Sequence, residues 1–243
     1  MVADSVETVV SELVLANHIL AALGVLDAFG HVSARHPGLP GCFLLARSMA
    51  PALVGPADIL CFGPDSELAD GRDERVYLER FIHGEIYRAR PDVGAVAHSH
   101  SPSIIPFGVV ASAPLRPVFH MAGFIGDRAP VFEIRDSRGD HPDLLISDRA
   151  LGAALAEQLG DQGLVLMRGH GSTAVGVSIR QAVYRAVYAE VNARLQCEAL
   201  RLGEPTYLSG PEAAASAAAN DTQLDRAWSH WTRLVERGQT GDR

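Results

Sequence analysis

Two histidines one residue apart close the apolar run Val93-Gly-Ala-Val-Ala-His98-Ser-His100. In an extended strand, residues i and i+2 share a face, so His98 and His100 would project together from the strand's end. Two imidazoles so placed can share a divalent metal ion. A third ligand would still leave a coordination position open for substrate, as catalytic sites require. An H-x-H pair also arises by chance, or with one ring satisfied in the core. A third imidazole is offered by Met167-Arg-Gly-His170-Gly-Ser172. Gly169 and Gly171 permit a tight turn with positive φ after an apolar strand. Alone, His170 reads equally as a polar turn residue. Together with His98 and His100 it makes a three-imidazole site the better reading.

Glu79 lies four residues before His83 in a segment, Arg75–Ala89, whose spacing predicts a helix stopped by Pro91. That helix runs directly into the His98 strand, so a carboxylate on it could reach the open side of the site as a general acid/base. Glu74, Glu79 and Glu85 also read as solvated surface charges.

The elements that must position these groups alternate irregularly. Residues 5–26 carry apolar side chains at helical spacing. Gly30–Pro37 reads as a turn into a short strand, and Cys42–Leu45, Ile59–Phe62, Ala95–His98, Val131–Ile134 and Leu164–Met167 as further strands. Helices are expected at Arg149–Leu159, from Ser178 to Leu202, and over Pro211–Val235. Several short strands adjacent in sequence point to a mixed α/β sheet covered by helices, in one domain over residues 1–243. Of 243 residues, 47% are hydrophobic and 21% charged, which suits one large core. The charge of −8 gives no support for nucleic-acid or anionic-membrane binding. Cys42, Cys61 and Cys197 lack any C-x-x-C pattern and read as reduced, mostly buried thiols of a cytoplasmic protein. Met1–Ser5 has no basic leader region, and Leu13–Leu26 is too short to span a bilayer.

The ungapped stretch Glu79-Arg-Phe-Ile-His83-Gly-Glu-Ile-Tyr87-Arg-Ala-Arg90-Pro-Asp92-Val-Gly-Ala-Val-Ala-His98-Ser-His100 resembles the pattern of the class II aldolase/adducin family. The similarity runs from about residue 5 to 210. It implies Glu79 as catalytic acid/base and His98, His100 and His170 as ligands of one divalent metal ion per subunit. Zinc is favoured, and Mn, Fe, Co or Ni would also suit three imidazoles. It further implies a three-layer α/β/α sandwich with a central, mostly antiparallel sheet. Such folds assemble as homo-oligomers, commonly homotetramers, with active sites between subunits.

The departures from that pattern are informative. Phosphate-binding members have Gly-Asn-x-Ser where this chain has Gly30-His31-Val-Ser33. A Ser-Gly pair is replaced within Leu45-Ala-Arg47-Ser48-Met-Ala-Pro51, and two serines by Tyr77 and Leu78. Phosphate capture needs N–H donors, hydroxyls and a close glycine backbone, so a sugar phosphate is not the expected substrate. Arg47, with Ser48 beside it, offers a planar fork suited to a carboxylate. His31 and Ser33 are further substrate-binding candidates. So is His120, which reads as following an apolar strand in Val118-Phe-His120-Met-Ala-Gly123 and could face its own site or a neighbour's. Surface or core roles for Arg47, His31, His36 and His120 stay open. The wording around Arg47, His120 and His170 resembles the family branch that decarboxylates hydroxy-aromatic or ring-cleaved dienoic acids.

The expected function is therefore a metal-dependent carbon–carbon lyase acting on a small carboxylic acid. It would decarboxylate a hydroxy-aromatic or keto/hydroxy-dienoic acid, with the metal stabilising the enolate left by CO₂. Aldol cleavage of a hydroxy-keto acid uses the same enolate, and an Fe(II)-dependent oxygenase could use the same three histidines. An adducin-like interaction module is disfavoured, because every ligand position is retained.

Overall fold

The computed structural model describes residues 5–140 and 142–239. Met1–Asp4, on which the expectation of no leader partly rests, and the end of the 1–243 span lie outside them. The elements run α1 (Val6–Ala22), β1 (His31–Arg35), β2 (Phe43–Ala46), β3 (Ile59–Phe62), α2 (Arg80–Ala89), β4 (Ala95–Ser99) and α3 (Ile105–Val109). They continue with β5 (Val131–Phe132), α4 (Arg135–Arg138), α5 (Arg149–Leu159), β6 (Leu164–Met167), β7 (Gly171–Gly176), α6 (Ile179–Leu202), α7 (Gly210–Asp221) and α8 (Leu224–Gln239).

One seven-stranded sheet has the order β3-β2-β1-β4-β7-β6-β5. Every neighbouring pair is antiparallel except β5 with β6. Side chains alternate between two hydrophobic cores. Val32, Ala34, Ala95, Ala97, Leu164, Leu166 and Ala174 pack under α1, α6 and α8. Val96, Val165, Met167 and Val175 face the other way, onto α2 and α5. The α/β/α sandwich expected from the sequence is thus the fold. By the same parity, His98 shares the α2 face with Val96, and His31 and Ser33 lie on that face of β1.

Several expectations need correction. The predicted helix at 75–89 starts only at Arg80, because the preceding segment is drawn onto the loop after β2. The Ser48 N–H donates to the Arg75 carbonyl, and Tyr77 Oη donates to Met49 O. Glu79 therefore stands at the helix's N-cap, where its carbonyl accepts the Ile82 N–H. The predicted 5–26 helix ends at Ala22, and the 131–134 strand pairs over only two residues. The helix expected over 211–235 is two helices, broken around Thr222 and Gln223. β7 is a strand the sequence reading omits. Its residues, Gly-Ser-Thr-Ala-Val-Gly, lack the bulky apolar signal of a strand, yet all are buried. The cysteines are free but half-buried, since Cys42 and Cys61 sit at the β2–β3 edge of the sheet. Among the described residues no helix is long and apolar enough to cross a membrane.

Candidate metal centre

Three imidazoles and one carboxylate converge at the end of β4. Glu79, His98, His100 and His170 each offer a ligand atom, all within 4.8 Å of one another. His98 is the fourth residue of β4, and His100 follows its last. His170 comes from the β6–β7 turn, which antiparallel pairing of β7 with β4 sets beside them. Nε2 of His100 lies 3.3 Å from Nε2 of His98 and 3.0 Å from Nε2 of His170.

The ring orientations are fixed from behind. His98 Nδ1 lies 3.1 Å from the Ser172 carbonyl, and His170 Nδ1 lies 2.8 Å from the Leu144 carbonyl. A carbonyl can only accept, so both Nδ1 atoms carry hydrogen, and in the neutral rings both Nε2 atoms bear lone pairs. His100 Nε2 faces both of these acceptors and has at most one proton to give. One nitrogen–nitrogen contact is then left without a proton, an arrangement a shared cation satisfies. Tetrahedral zinc with about 2.05 Å bonds would separate its nitrogens by roughly 3.3 Å. The donor set and its carbonyl-buttressed rings therefore fit a divalent ion.

Glu79 completes the cluster. Its Oε1 accepts the Ile146 N–H at 3.0 Å, while Oε2 lies 3.6 Å from His98 Nε2 and 3.5 Å from His170 Nε2. Burial opposes its ionisation, but His170, His98 and the Ile146 N–H outweigh that and hold its pKa at about 2. Burial alone would lower the His170 pKa, yet Glu79 beside it moves the balance upward. His98, fully buried, is held down to about 3. Glu79 is thus a carboxylate at neutral pH.

Several contributors carry no signal in their residue type. Leu144 adopts φ 68, a left-handed conformation unfavourable for a branched side chain, and its carbonyl is the one that meets His170. Two residues on, Ile146 supplies the N–H that holds Glu79. Glu190 of α6 accepts from Ser101 Oγ at 2.5 Å and from the Ser103 N–H at 3.1 Å, anchoring the chain just past His100. Arg168, two residues before His170, is ion-paired with Glu133.

The other predicted site residues divide. His31 is buried with its ring centroid 5.1 Å from that of His98, and the Tyr77 ring packs at a tilt 4.5 Å from that of His31. Ser33 lies behind His31 rather than beside the cluster, 2.6 Å from His83. Arg47 is half-exposed and its Nε donates to Asp58 at 2.7 Å, so part of its fork is already engaged. Ser48 sits next to it on the same loop, tied by its backbone N–H to Arg75. His120 follows no strand. It opens a 3-10 turn, its side chain is exposed, and its carbonyl accepts from Asn220. His36 accepts the Gly38 and Leu39 N–H groups in a turn, which gives it a structural role.

This sheet, with a histidine–carboxylate cluster at its centre, is that of the class II aldolases, and the chain belongs to the Class II Aldolase and Adducin N-terminal domain family over residues 11–197. It is 36% identical to the decarboxylase tropJ of Talaromyces stipitatus, over 91% of each chain. It is 31% identical to a 3,4-dihydroxyphthalate decarboxylase of Arthrobacter keyseri, over 79% of this chain and 78% of that one. Among solved structures, the L-fuculose 1-phosphate aldolase of Glaciozyma antarctica superposes with a TM-score of 0.78 at 22% identity, covering 98% of this chain and 92% of that one.

Proposed function

We propose that this chain is a metal-dependent carbon–carbon lyase that decarboxylates a non-phosphorylated, hydroxylated aromatic carboxylate. The observation that carries the reading is the ionised Glu79 carboxylate, 3.5–3.6 Å from two nitrogens of the three-imidazole cluster. The names of relatives that match over most of the chain support decarboxylation. When bound, a divalent cation supplies a Lewis acid that draws electron density from substrate oxygens.

The protein's own groups do the remaining work. Glu79 takes the proton of a ring hydroxyl. The bond between ring and carboxylate carbons breaks, CO₂ leaves, and the electron pair stays on the ring carbon. Glu79 then returns its proton to that carbon, so one carboxylate serves first as base and then as acid. Arg47, steadied by Asp58, turns its remaining guanidinium donors to a second carboxylate, with Ser48 beside it. The rings of Tyr77, beside His31, and of Phe29, 6.3 Å from His100 and largely exposed, suit an aromatic substrate. We place the working sites between protomers of a homotetramer. There the exposed His120 of the partner subunit would approach a cluster that this chain's own His120 does not join.

Incubating the zinc- or manganese-loaded protein with dihydroxylated phthalates and benzoates tests the reading, with CO₂ and the phenol as expected products. Aldehyde release without CO₂ would replace decarboxylation by aldol cleavage. Turnover that stops under anaerobic conditions would replace it by an oxygenase.

A further inference from the structure

Behind His31 runs a buried chain of hydroxyl and imidazole groups that the metal cluster does not use. Tyr87 Oη lies 2.8 Å from Ser33 Oγ, Ser33 Oγ lies 2.6 Å from His83 Nδ1, and His83 Nε2 lies 2.6 Å from His31 Nδ1. All four residues are buried. The spacing explains how they meet. His83 and Tyr87 are four apart on α2, so they share one helix face, and His31 and Ser33 are two apart on β1, so they share one strand face.

Counting protons gives the direction of each bond. A buried hydroxyl without an acceptor is unfavourable, because the hydrogen bond it made to water is not replaced. Burial raises the Tyr87 pKa, so the phenol keeps its proton. The acceptor beside it is Ser33 Oγ. Ser33's own proton then goes to its other neighbour, His83 Nδ1. His83 is neutral, since burial holds its pKa at about 3. Its single hydrogen is therefore on Nε2 and is donated to His31 Nδ1. In accepting it, His31 leaves its Nδ1 without a hydrogen. Its hydrogen must therefore sit on Nε2. The opposite direction would leave the Tyr87 proton with no acceptor among these four residues.

We propose that Tyr87, Ser33 and His83 lock His31 as its Nε2–H tautomer, making His31 a hydrogen-bond donor to a substrate oxygen and His83 its positioning residue. The substrate role rests on the lyase reading, whereas the tautomer does not. Proton abstraction would need the opposite tautomer of His31, so base chemistry falls to Glu79 and His31 binds a carboxylate or phenolate oxygen. An asparagine at this position could not mimic that donor. Its amide reaches the place of Nδ1, which in His31 is already occupied by the bond to His83.

Two-bond proton–nitrogen correlation spectra of the full-length, zinc-loaded protein, labelled with ¹⁵N in histidine, test this at neutral pH. His31→Asn and His83→Asn variants assign the two rings. Both are expected as Nε2–H tautomers. Tyr87→Phe removes the proton that sets the direction, so it should turn His83 and His31 into tautomer mixtures and slow turnover about 3- to 10-fold. Ser33→Ala breaks the same chain should Tyr87→Phe not fold. A Nδ1–H tautomer at His31 in the unmodified protein, or unchanged tautomers in both variants, would overturn the proposal. The expected tautomers without any CO₂ release would uphold the lock and discard the lyase reading alone.

Discussion

Glu79 Oε1 accepts the backbone N–H of Ile146 at 3.0 Å, and this bond turns Oε2 toward His98 and His170. The carboxylate is thus aimed by a backbone group far along the chain. Glu79→Gln tests that arrangement with little change of shape, because the amide oxygen can still accept from Ile146. Turnover should fall about 10²- to 10⁴-fold, the usual worth of a general acid/base, with metal content unchanged. Mass-spectrometric metal analysis beside a CO₂ assay measures both. Full activity in the variant would remove Glu79 from the chemistry.

The three Nε2 atoms face one another with too few protons to satisfy their lone pairs. A divalent ion at 100 times its Kd should stabilise the fold by about 2.7 kcal/mol, which for a chain of this size is roughly 5–10 °C in Tm. Chelation should remove both that increment and CO₂ release, and added cation should restore them. His98→Ala should melt at the same temperature with and without metal. A melting curve of the unmodified protein that ignores chelator would contradict the site.

Burial holds the folded-state pKa of His83 at about 3, below the ordinary value near 6.5. Between these limits the unfolded chain binds a proton that the folded protein refuses. The stability this neutral ring contributes is therefore complete above about pH 6.5 and declines as pH falls, by up to about 1.4 kcal/mol per pH unit. His31 and His98 act in the same direction. His170, raised by Glu79, acts only above about pH 6.5, where the folded protein keeps a proton that the unfolded chain has lost, so it adds no slope in this window. Denaturant unfolding of chelated protein should show a clearly lower midpoint at pH 5 than at pH 7. Equal midpoints would show that these rings are not held neutral.

The cluster of Glu79 and three histidines that could hold an ion was legible because its signal lies in residue type and strand parity. Imidazoles at 98 and 100 must share a face, and an imidazole between two glycines must stand on a tight turn. What could not be read works through backbone groups. Leu144 orients His170 with a carbonyl and Ile146 orients Glu79 with an N–H, groups that nearly every residue has. The start of α2 was displaced for a related reason, since Tyr77 and Arg75 are engaged by Met49 and Ser48 before the helical ladder can include them. β7 was hidden by its small residues, whose value is in letting strands approach. Gly171 shows this most clearly. The sequence suggests positive φ at both glycines around His170, yet only Gly169 has it, at φ 68.

Gly171 is required instead for space. A Cβ there would stand 2.0 Å from the Ser99 carbonyl oxygen and 3.1 Å from the His100 Cα. Both obstacles are backbone and cannot rotate away, so Gly171→Ala must push β7 from β4. Overpacking of this kind costs about 1–3 kcal/mol or more. Because Ser99 lies between His98 and His100 and Gly171 follows His170, the displacement also moves His170 relative to the other two rings. Gly169→Ala is the control. There the new methyl has open surroundings, with Leu144 Cδ1 at 3.7 Å, and the cost is the left-handed conformation, about 1–2 kcal/mol. Thermal melts with zinc titrations should therefore separate the two. Gly169→Ala should lose stability with metal affinity nearly kept, whereas Gly171→Ala should lose both together. Undiminished zinc affinity in Gly171→Ala would mean that the close approach of β4 and β7 does not set the geometry of the cluster.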